Sequence, residues 1–299
     1  MRAISYKFDL DEKFFLAIKV NQIRRIAIES EYSAEHQSQK CNNVILRIAT
    51  ICSWVKAYFV FRTDQIMIDQ PPNTIQIPSA ENLKLVGKAL QHHITPMTAK
   101  QLTTLINSGG KIPDRGFVPN PLLKESYSRK IGNKSLVLHP RCSNFTGERN
   151  TPIDLFREVA DHFLEKGFSV TVVPDYEDYI GNNLWQASGL NMEVLPCFDI
   201  EHRVAIAESA LVNLTWGAGI IEPLHFSMAN FLETGKYIKN VQLVDKEYMA
   251  RKGPEFGEQA NWLEQDTQVF DWTEKSDLTS KILIEKLEEI LEKIEEKKK

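Results

Sequence analysis

The second half of the chain alternates short apolar segments with longer amphipathic ones, and this alternation constrains the fold more than any other feature. Residues 135–139 and 168–173 are rich in leucine and valine, which favours buried strands. Between them, Phe156, Val159 and Phe163 recur at helical spacing. A strand, a helix and a strand of these lengths predict two parallel strands joined by a right-handed crossover.

The same alternation continues toward the end of the chain. Further strands are predicted at 192–195, 211–214, 241–244 and 268–270, and further helices at 200–210, at 220–228 and from residue 276 or 277 onward. The helix before the second strand is expected to have Thr151 as its N-cap and Pro152 at its first position, and to stop at Gly167. Alternation over this length predicts an α/β fold with a doubly wound parallel sheet.

The first half of the chain has a weaker pattern. It predicts helices at 10–31, 44–58, 80–90 and 98–106 and one short strand at 65–69. The apolar stretch 44–61 can also be interpreted as a buried helix that runs into a strand. Residues 107–134 hold three prolines and four glycines, a composition typical of a connector. We therefore predict two domains: a smaller, more helical or incomplete α/β unit with its linker at 1–130, and a Rossmann-like sheet with a C-terminal helix at 131–299.

Composition and charge exclude several classes of protein. The 299 residues include 36 Lys and Arg against 40 Asp and Glu, so the basic excess of a nucleic-acid-binding domain is absent. Four widely spaced cysteines form no C-x-x-C pair, which disfavours a zinc ribbon and suits a reducing compartment. The residues MRAISYKFDLDEKFF contain no apolar h-region, so a signal peptide is not expected, and the most apolar stretch, 44–61, includes Arg47 and Lys56. These features predict a cytoplasmic protein, and peripheral contact with the inner face of a membrane stays open.

The loop 140–150 is the first candidate for ligand binding. Ligands of an open parallel sheet bind beyond the carboxyl ends of its strands, and this loop follows a strand and leads into a helix. It contains Arg141, Ser143 and Arg149. Guanidinium groups beside a helix N-terminus favour an anion such as a diphosphate, although loop arginines can equally be plain surface charges.

The segment 215–219 is the second candidate, because it joins a predicted strand to a predicted helix. It reads Thr215, Trp, Gly217, Ala218 and Gly219, and its glycines allow the backbone to approach a ligand closely or to make a tight turn. Glu222 follows in the first turn of the helix, where its carboxylate could accept hydrogen bonds from ribose or favour the positive helix end. Neither a Walker A loop nor a G-x-G-x-x-G fingerprint is present.

Other chemical signals in the sequence are weaker. Asp175 follows a predicted strand and is a candidate substrate contact. His92 and His93 lack Cys or His partners at ligand spacing, so no metal site is predicted. A G-x-S-x-G elbow is absent, which leaves a hydrolase triad without its anchor.

Three consecutive segments carry a resemblance to a known type of protein. They read LHPRCSNFTGERN, then VADHFLEKGFSVTVVPDYED, then DIEHRVAIAESALVNLTWGAGIIEPL. Their order is a strand, an arginine-bearing loop, a helix, a strand that ends in Pro-Asp, an acid-headed helix, a strand and a glycine loop. This part resembles the donor-binding half of GT-B glycosyltransferases, nearest to bacterial surface-polysaccharide or heptosyltransferase-like proteins of family 9.

The resemblance implies a GT-B-like fold with a site for a nucleoside-diphosphate sugar. The diphosphate would lie between the loop 140–150 and the segment 215–219, and the base and ribose near Pro196, Cys197 and Glu222. The implied activity is transfer of the sugar to a glycan or lipid-linked acceptor in surface polysaccharide synthesis, without a metal or other cofactor.

The resemblance also implies that the catalytic base comes from the first domain, where Asp64 and Asp69 are the candidates. Two alternatives stay open: a non-catalytic protein that binds a nucleotide or glycan, and a sugar-nucleotide epimerase. Hydrolysis or transfer of the labelled sugar would indicate the transferase, binding without turnover the binding protein, and interconversion of free donor isomers the epimerase.

Overall fold

The structure of the chain is a computed structural model. It describes residues 14–20, 46–52, 55–62, 116–142, 150–182, 184–217, 219–235, 266–270 and 277–299. The strands within these residues are β1 (Phe14–Val20), β2 (Val55–Arg62), β3 (Ser135–His139), β4 (Ser169–Val172), β5 (Asn191–Met192), β6 (Val212–Trp216), β7 (Phe231–Thr234) and β8 (Gln268–Phe270). The α-helices are α1 (Leu46–Ile51), α2 (Pro121–Ile131), α3 (Ile153–Glu165), α4 (Leu195–Phe198), α5 (Ile200–Ser209) and α6 (Ser280–Glu296).

Strands β3 to β8 form one parallel sheet in the order β5-β4-β3-β6-β7-β8. The chain moves outward from β3 through β4 to β5, then returns to β6 on the other side of β3 and continues outward again. The strand order therefore reverses between β3 and β6, where a crevice opens beyond the carboxyl ends of an open sheet. Strands β1 and β2 form a separate parallel pair.

The alternation of side chains along β3 assigns the two faces of the sheet. Leu136 and Leu138 face the layer of α3 and α6 and pack in one cluster with Phe156 and Leu287. Val137 faces the other layer, in a cluster that includes residues of α2 and α5. Both faces are covered, which is the normal condition of a parallel sheet, so the predicted α/β fold is confirmed.

The helical prediction for 10–31 is wrong over 14–20, which form β1. A short apolar run fits a buried strand as well as one face of a helix, and here pairing with β2 decides the outcome. The prediction of one helix over 44–58 is also wrong, because α1 ends at Ile51 and β2 begins at Val55. The alternative interpretation, a helix that runs into a strand, is confirmed.

The connector predicted at 107–134 contains a helix, α2, so that prediction is wrong over 121–131. Its prolines and glycines mark the helix ends instead of excluding a helix. Asn120 accepts a hydrogen bond from the N–H of Leu122, Pro121 occupies the first helical position, and Gly132 follows the helix with φ +78°.

Several predicted boundaries differ from the structure. Thr151 is not the N-cap of α3, which begins at Ile153 after Pro152, whereas Gly167 ends that helix region with φ +75°, as expected. The predicted strand at 192–195 is reduced to the two residues of β5, and the predicted helix at 220–228 is a 3-10 helix, Gly219–Phe226, with Pro223 inside it. The final helix has Thr279 as its N-cap instead of residue 276 or 277.

Besides β1, strand β7 was not predicted, and four predicted elements cannot be compared. Strand β7 pairs with β6 and β8 in the sheet, although the sequence pattern did not indicate it. The strand at 268–270 is confirmed as β8. The predicted elements at 65–69, 80–90, 98–106 and 241–244 lie outside the described residues. No helix in the described part of the chain combines the length and apolar character that crossing a bilayer demands.

Candidate functional site

The carboxyl ends of β3, β6 and β7 meet at one rim of the sheet. His139 lies opposite Thr215, and Thr215 lies opposite Glu233, so the three strands end in step. Arg141 and Gly217 therefore lie just beyond two adjacent strand ends, at the point where the strand order reverses. This position is where an open α/β sheet places its ligands.

Arg141 joins the two loops that the sequence singles out. Its Nη1 donates to the carbonyl oxygen of Gly217 over 3.3 Å. Its backbone is fixed at the start of α3, because its N–H donates to Oγ1 of Thr151 at 2.7 Å and its carbonyl accepts from the N–H of Thr151 at 3.0 Å. The Thr151 hydroxyl thus holds the start of the loop after β3, while Pro152 occupies the N-cap position of α3. The guanidinium is partly buried and held across the gap between β3 and β6.

Asp175 connects the loop after β4 to the loop after β3. Its Oδ2 accepts from the N–H of Cys142 at 3.2 Å, and its Oδ1 accepts from the N–H of Tyr176 at 2.8 Å. Burial raises the pKa of Asp175, while the charge of Arg203 and these two N–H groups oppose that rise. In the described structure the carboxylate therefore fixes the loop that bears Arg141, a role that the sequence prediction of a substrate contact did not include.

Arg203 is the main site residue that sequence reasoning missed. It lies on α5 with none of its surface exposed. Its Nη2 donates to the carbonyl oxygen of Pro174 at 2.9 Å, and its Nε donates to that of Pro196 at 3.0 Å. An arginine three residues after Ile200 and four before Ala207, on the apolar face of a helix, is the sequence signal that could have identified it.

His139 is a buried, neutral group beneath this rim. Burial and the charge of Arg203 lower its pKa to about 3, although a hydrogen bond to Asn213 opposes the fall. Nε2 of His139 lies 3.1 Å from Oδ1 of Asn213, whose amide nitrogen already donates to the carbonyls of Ala207 and Asn230. Because Oδ1 of Asn213 must accept, Nε2 of His139 carries the proton.

The glycine segment begins as an extension of β6. The prediction that the strand ends at Leu214 is wrong, since β6 continues through Thr215 to Trp216. Thr215 is buried inside the sheet, where its hydroxyl donates to the carbonyl of Leu232 at 3.4 Å. Gly217 follows with its N–H donated to the carbonyl oxygen of Thr234 at 2.8 Å, which ties the segment to the end of β7.

The remaining predicted site residues have different outcomes. Pro196 is buried in α4, and its carbonyl is the acceptor for Arg203. Gly219 and Glu222 lie in the 3-10 helix after β6. The other predicted residues lie outside the described ranges: Ser143, Arg149, Ala218, Asp64 and Asp69. Within the described ranges, no group of three or more His, Cys, Asp or Glu side chains is arranged to hold a metal ion.

Comparison with known proteins shows a similarity of fold. No family model and no curated protein sequence matches the chain. The crystal structure of a glycosyl transferase family 9 protein from Veillonella parvula is similar over 94% of this chain and 98% of its own, with a TM-score of 0.50 and 8% identity. The structure of E. coli ADP-heptose LPS heptosyltransferase II has a TM-score of 0.42 and 11% identity over 60% of this chain. The chain spans about half of that protein, 54% of its length.

The comparison of folds rests on the Veillonella structure, because the similarity extends over nearly the whole of both chains. At 8% identity, what the two proteins share is the fold. The expected likeness to a glycosyltransferase fold is confirmed at that level: a parallel α/β sheet flanked by helices, with its strand order reversed between β3 and β6.

Proposed function

We propose that the chain is a glycosyltransferase that moves a sugar from a nucleoside-diphosphate donor to a glycan or lipid-linked acceptor in surface polysaccharide synthesis. The hydrogen bond between Arg141 and Gly217 is the observation that carries this proposal. It brings a cation and a glycine backbone together at the switch point of the sheet, where nucleotides bind in this class of fold. The fold similarity to a glycosyl transferase family 9 protein supports the same function.

The proposed donor site is built to hold a diphosphate. The guanidinium of Arg141 can bind phosphate oxygens through two parallel N–H groups, and Gly217, Ala218 and Gly219 would allow the backbone to approach the same group. Ser143 and Arg149 belong to the loop that Arg141 opens, and we propose that they complete the anion site. Positive charge there would stabilise the diphosphate as it leaves the sugar, which is where negative charge develops during transfer.

The remaining parts of the proposed reaction are assigned to other segments. The base and ribose of the donor would lie toward Pro196 and Glu222. A carboxylate of the first domain, Asp64 or Asp69, would remove the proton from the acceptor hydroxyl. A lipid-linked acceptor would bring the protein to the inner face of the membrane, so vesicle sedimentation with and without that acceptor tests this part.

A panel of UDP-, GDP-, ADP- and CMP-linked sugars in a thermal-shift assay tests the proposal. A donor that binds only the folded state raises its stability by mass action, so one nucleotide class should raise the melting temperature in a dose-dependent manner. The stabilising donor is then supplied with a radiolabelled sugar and candidate acceptors. If no nucleotide sugar stabilises the protein, the proposed donor site is wrong.

The experiment with the radiolabelled donor distinguishes the transferase from the two alternatives, a binding protein and an epimerase. Saturable nucleotide binding without release of labelled sugar indicates a binding protein, and conversion of the free donor to its isomer indicates an epimerase. Label transferred to an acceptor, with release of the nucleoside diphosphate, indicates the transferase.

A further inference from the structure

Arg203 is connected to Arg141 through two hydrogen bonds and the peptide bonds between neighbouring residues. Its Nη2 binds the carbonyl of Pro174, which directly precedes Asp175 in the chain. Asp175 in turn accepts from the N–H of Cys142, which directly follows Arg141. Arg141 then donates to Gly217. Helix α5 is thus linked to both sides of the crevice between β3 and β6.

Burial of the charged Arg203 side chain costs free energy that an apolar side chain at the same position would not cost. A guanidinium with no exposed surface loses its hydration, and well-packed apolar residues of similar volume are often as stable or more so. In the described structure its Nη1 is buried without a hydrogen-bond partner, so the group does not gain all the bonds that it could. Its two hydrogen bonds go to the carbonyl oxygens of Pro174, after β4, and Pro196, after β5. Strands β4 and β5 are parallel to β3, so both have their carboxyl ends at the rim that bears the candidate site.

We propose that Arg203 is a positioning residue that holds Arg141 in place through Asp175 and thereby sets the affinity for the diphosphate of the donor. Arg203 binds no substrate in this scheme. It fixes the carbonyl of Pro174, which orients the carboxylate of Asp175 toward the N–H of Cys142. This inference rests on the proposed function, because affinity for a diphosphate is the property that Arg203 would control.

The test uses two variants of Arg203 and measures the affinity for UDP, GDP and ADP by calorimetry. Arg203→Met removes the charge and both hydrogen bonds. Arg203→Lys keeps the charge and can make one of the bonds. Circular dichroism first confirms that each variant is folded. We then expect Arg203→Met to bind the preferred nucleotide about tenfold more weakly than wild type, an effect within the range known for residues that do not contact the ligand. The Lys variant should lie between it and the wild type.

A matched control separates positioning from a general loss of stability. Arg157 on α3 also donates to a loop carbonyl, that of Ser188 at 3.2 Å, but this hydrogen bond is not part of the series that links Arg203 to Arg141. Arg157→Met should leave nucleotide affinity unchanged. Equal affinities for wild type, Arg203→Lys and Arg203→Met would overturn the proposal, because a purely structural role changes stability without changing the affinity of the folded protein.

A mutant cycle with Arg141 tests the route of the effect. If Arg203 acts through Arg141, the double variant Arg203→Lys/Arg141→Ala binds no more weakly than Arg141→Ala alone. Additive losses would overturn the proposed route. Should Arg203→Met fail to fold, Arg203→Lys and Asp175→Asn still decide the question, since both alter the same connection with a smaller change in volume.

Hydrogen exchange distinguishes failure of this inference from failure of the proposed function. The amides of Cys142 and Tyr176 should exchange faster in Arg203→Lys than in wild type, at matched global stability, whether or not a nucleotide binds. Faster exchange in a protein that binds no nucleotide would support the loop contacts and overturn the control of diphosphate affinity together with the proposed function. Unchanged exchange would overturn the positioning role itself.

Discussion

Gly235 lies so close to the indole of Trp216 that a β-carbon on Gly235 would be 2.0 Å from Cε2 of that ring. Gly235 follows β7 and has φ +69°, and Trp216 is the fully buried last residue of β6. Their neighbours in the chain are joined as well, because the N–H of Gly217 donates to the carbonyl oxygen of Thr234. The close approach of β7 thus fixes the position of Trp216 and of Gly217, which follows it.

Gly235→Ala should destabilise the protein strongly. The new methyl group must displace a buried indole, at about 1–3 kcal/mol, and alanine at positive φ adds about 1–2 kcal/mol. Gly189→Ala is the matched control, because Gly189 lies in the left-handed α region, with φ +76° and ψ 2°, and has no atom within 4 Å of the added β-carbon. Urea denaturation should show a loss of about 2–5 kcal/mol for Gly235→Ala and about 1–2 kcal/mol for the control. Equal losses would contradict the close contact with Trp216.

Arg141→Ala should weaken binding of the nucleoside diphosphate without unfolding the protein. Loss of a charge-assisted contact costs about 1–3 kcal/mol, or roughly fivefold to 150-fold in affinity. Arg141→Lys keeps the charge without the planar fork and should have intermediate affinity. Arg129→Ala is the control, since Arg129 is exposed on α2 and pairs only with Glu125 among the described ion pairs. Calorimetric titration with UDP, GDP and ADP measures all four proteins, and unchanged affinity in folded Arg141→Ala would exclude the proposed site.

The rim of the candidate site could be predicted from the sequence because it depends on local pattern and one topological rule. The strand that ends at His139 and the strand that leads to Gly217 are both marked by apolar runs. Once both are taken as parallel strands, their carboxyl ends must share an edge of the sheet. Arg141 and Gly217 follow those ends, so the pattern places both at one rim, whereas their proximity depends on the pairing of β3 with β6, which only the structure shows.

The remainder depends on contacts between distant segments, which leave little trace in local pattern. Strand β7 contains Glu233 and Thr234, and two polar residues out of four interrupt the expected apolar run. In the structure Glu233 is buried against His225, Nε2 to Oε2 at 2.5 Å, and such a pair cannot be read from either residue alone. Arg203 likewise finds a partner 29 residues earlier in the chain, at Pro174.

Leu287→Ala should show that α6 belongs to the core of the sheet. Leu287 has none of its surface exposed and lies in the cluster that covers one face of β3. Loss of a fully buried leucine side chain costs about 2–5 kcal/mol, depending on how far the cavity collapses. Leu122→Ala is the control, because Leu122 on α2 is 74% exposed and its loss should cost less than about 0.5 kcal/mol. A small effect at Leu287 in urea denaturation would mean that α6 is not packed as described.

His139→Gln should remove part of the pH dependence of stability. In the folded protein the pKa of His139 is lowered to about 3 by burial, whereas in the unfolded chain it takes the ordinary value of 6.5. As the pH falls below 6.5, only the unfolded state gains the proton, so the wild type loses about 1.4 kcal/mol per pH unit until the pH approaches 3. Glutamine can donate to Asn213 but does not titrate, so from pH 8 to pH 5 the stability of wild type relative to the variant should fall by about 2 kcal/mol.

Urea denaturation at both pH values measures the difference in stability between wild type and His139→Gln, and between pH 8 and pH 9 this difference should stay constant. A constant difference down to pH 5 would mean that folded His139 accepts the proton as readily as the unfolded chain does, and would refute its burial as a neutral group.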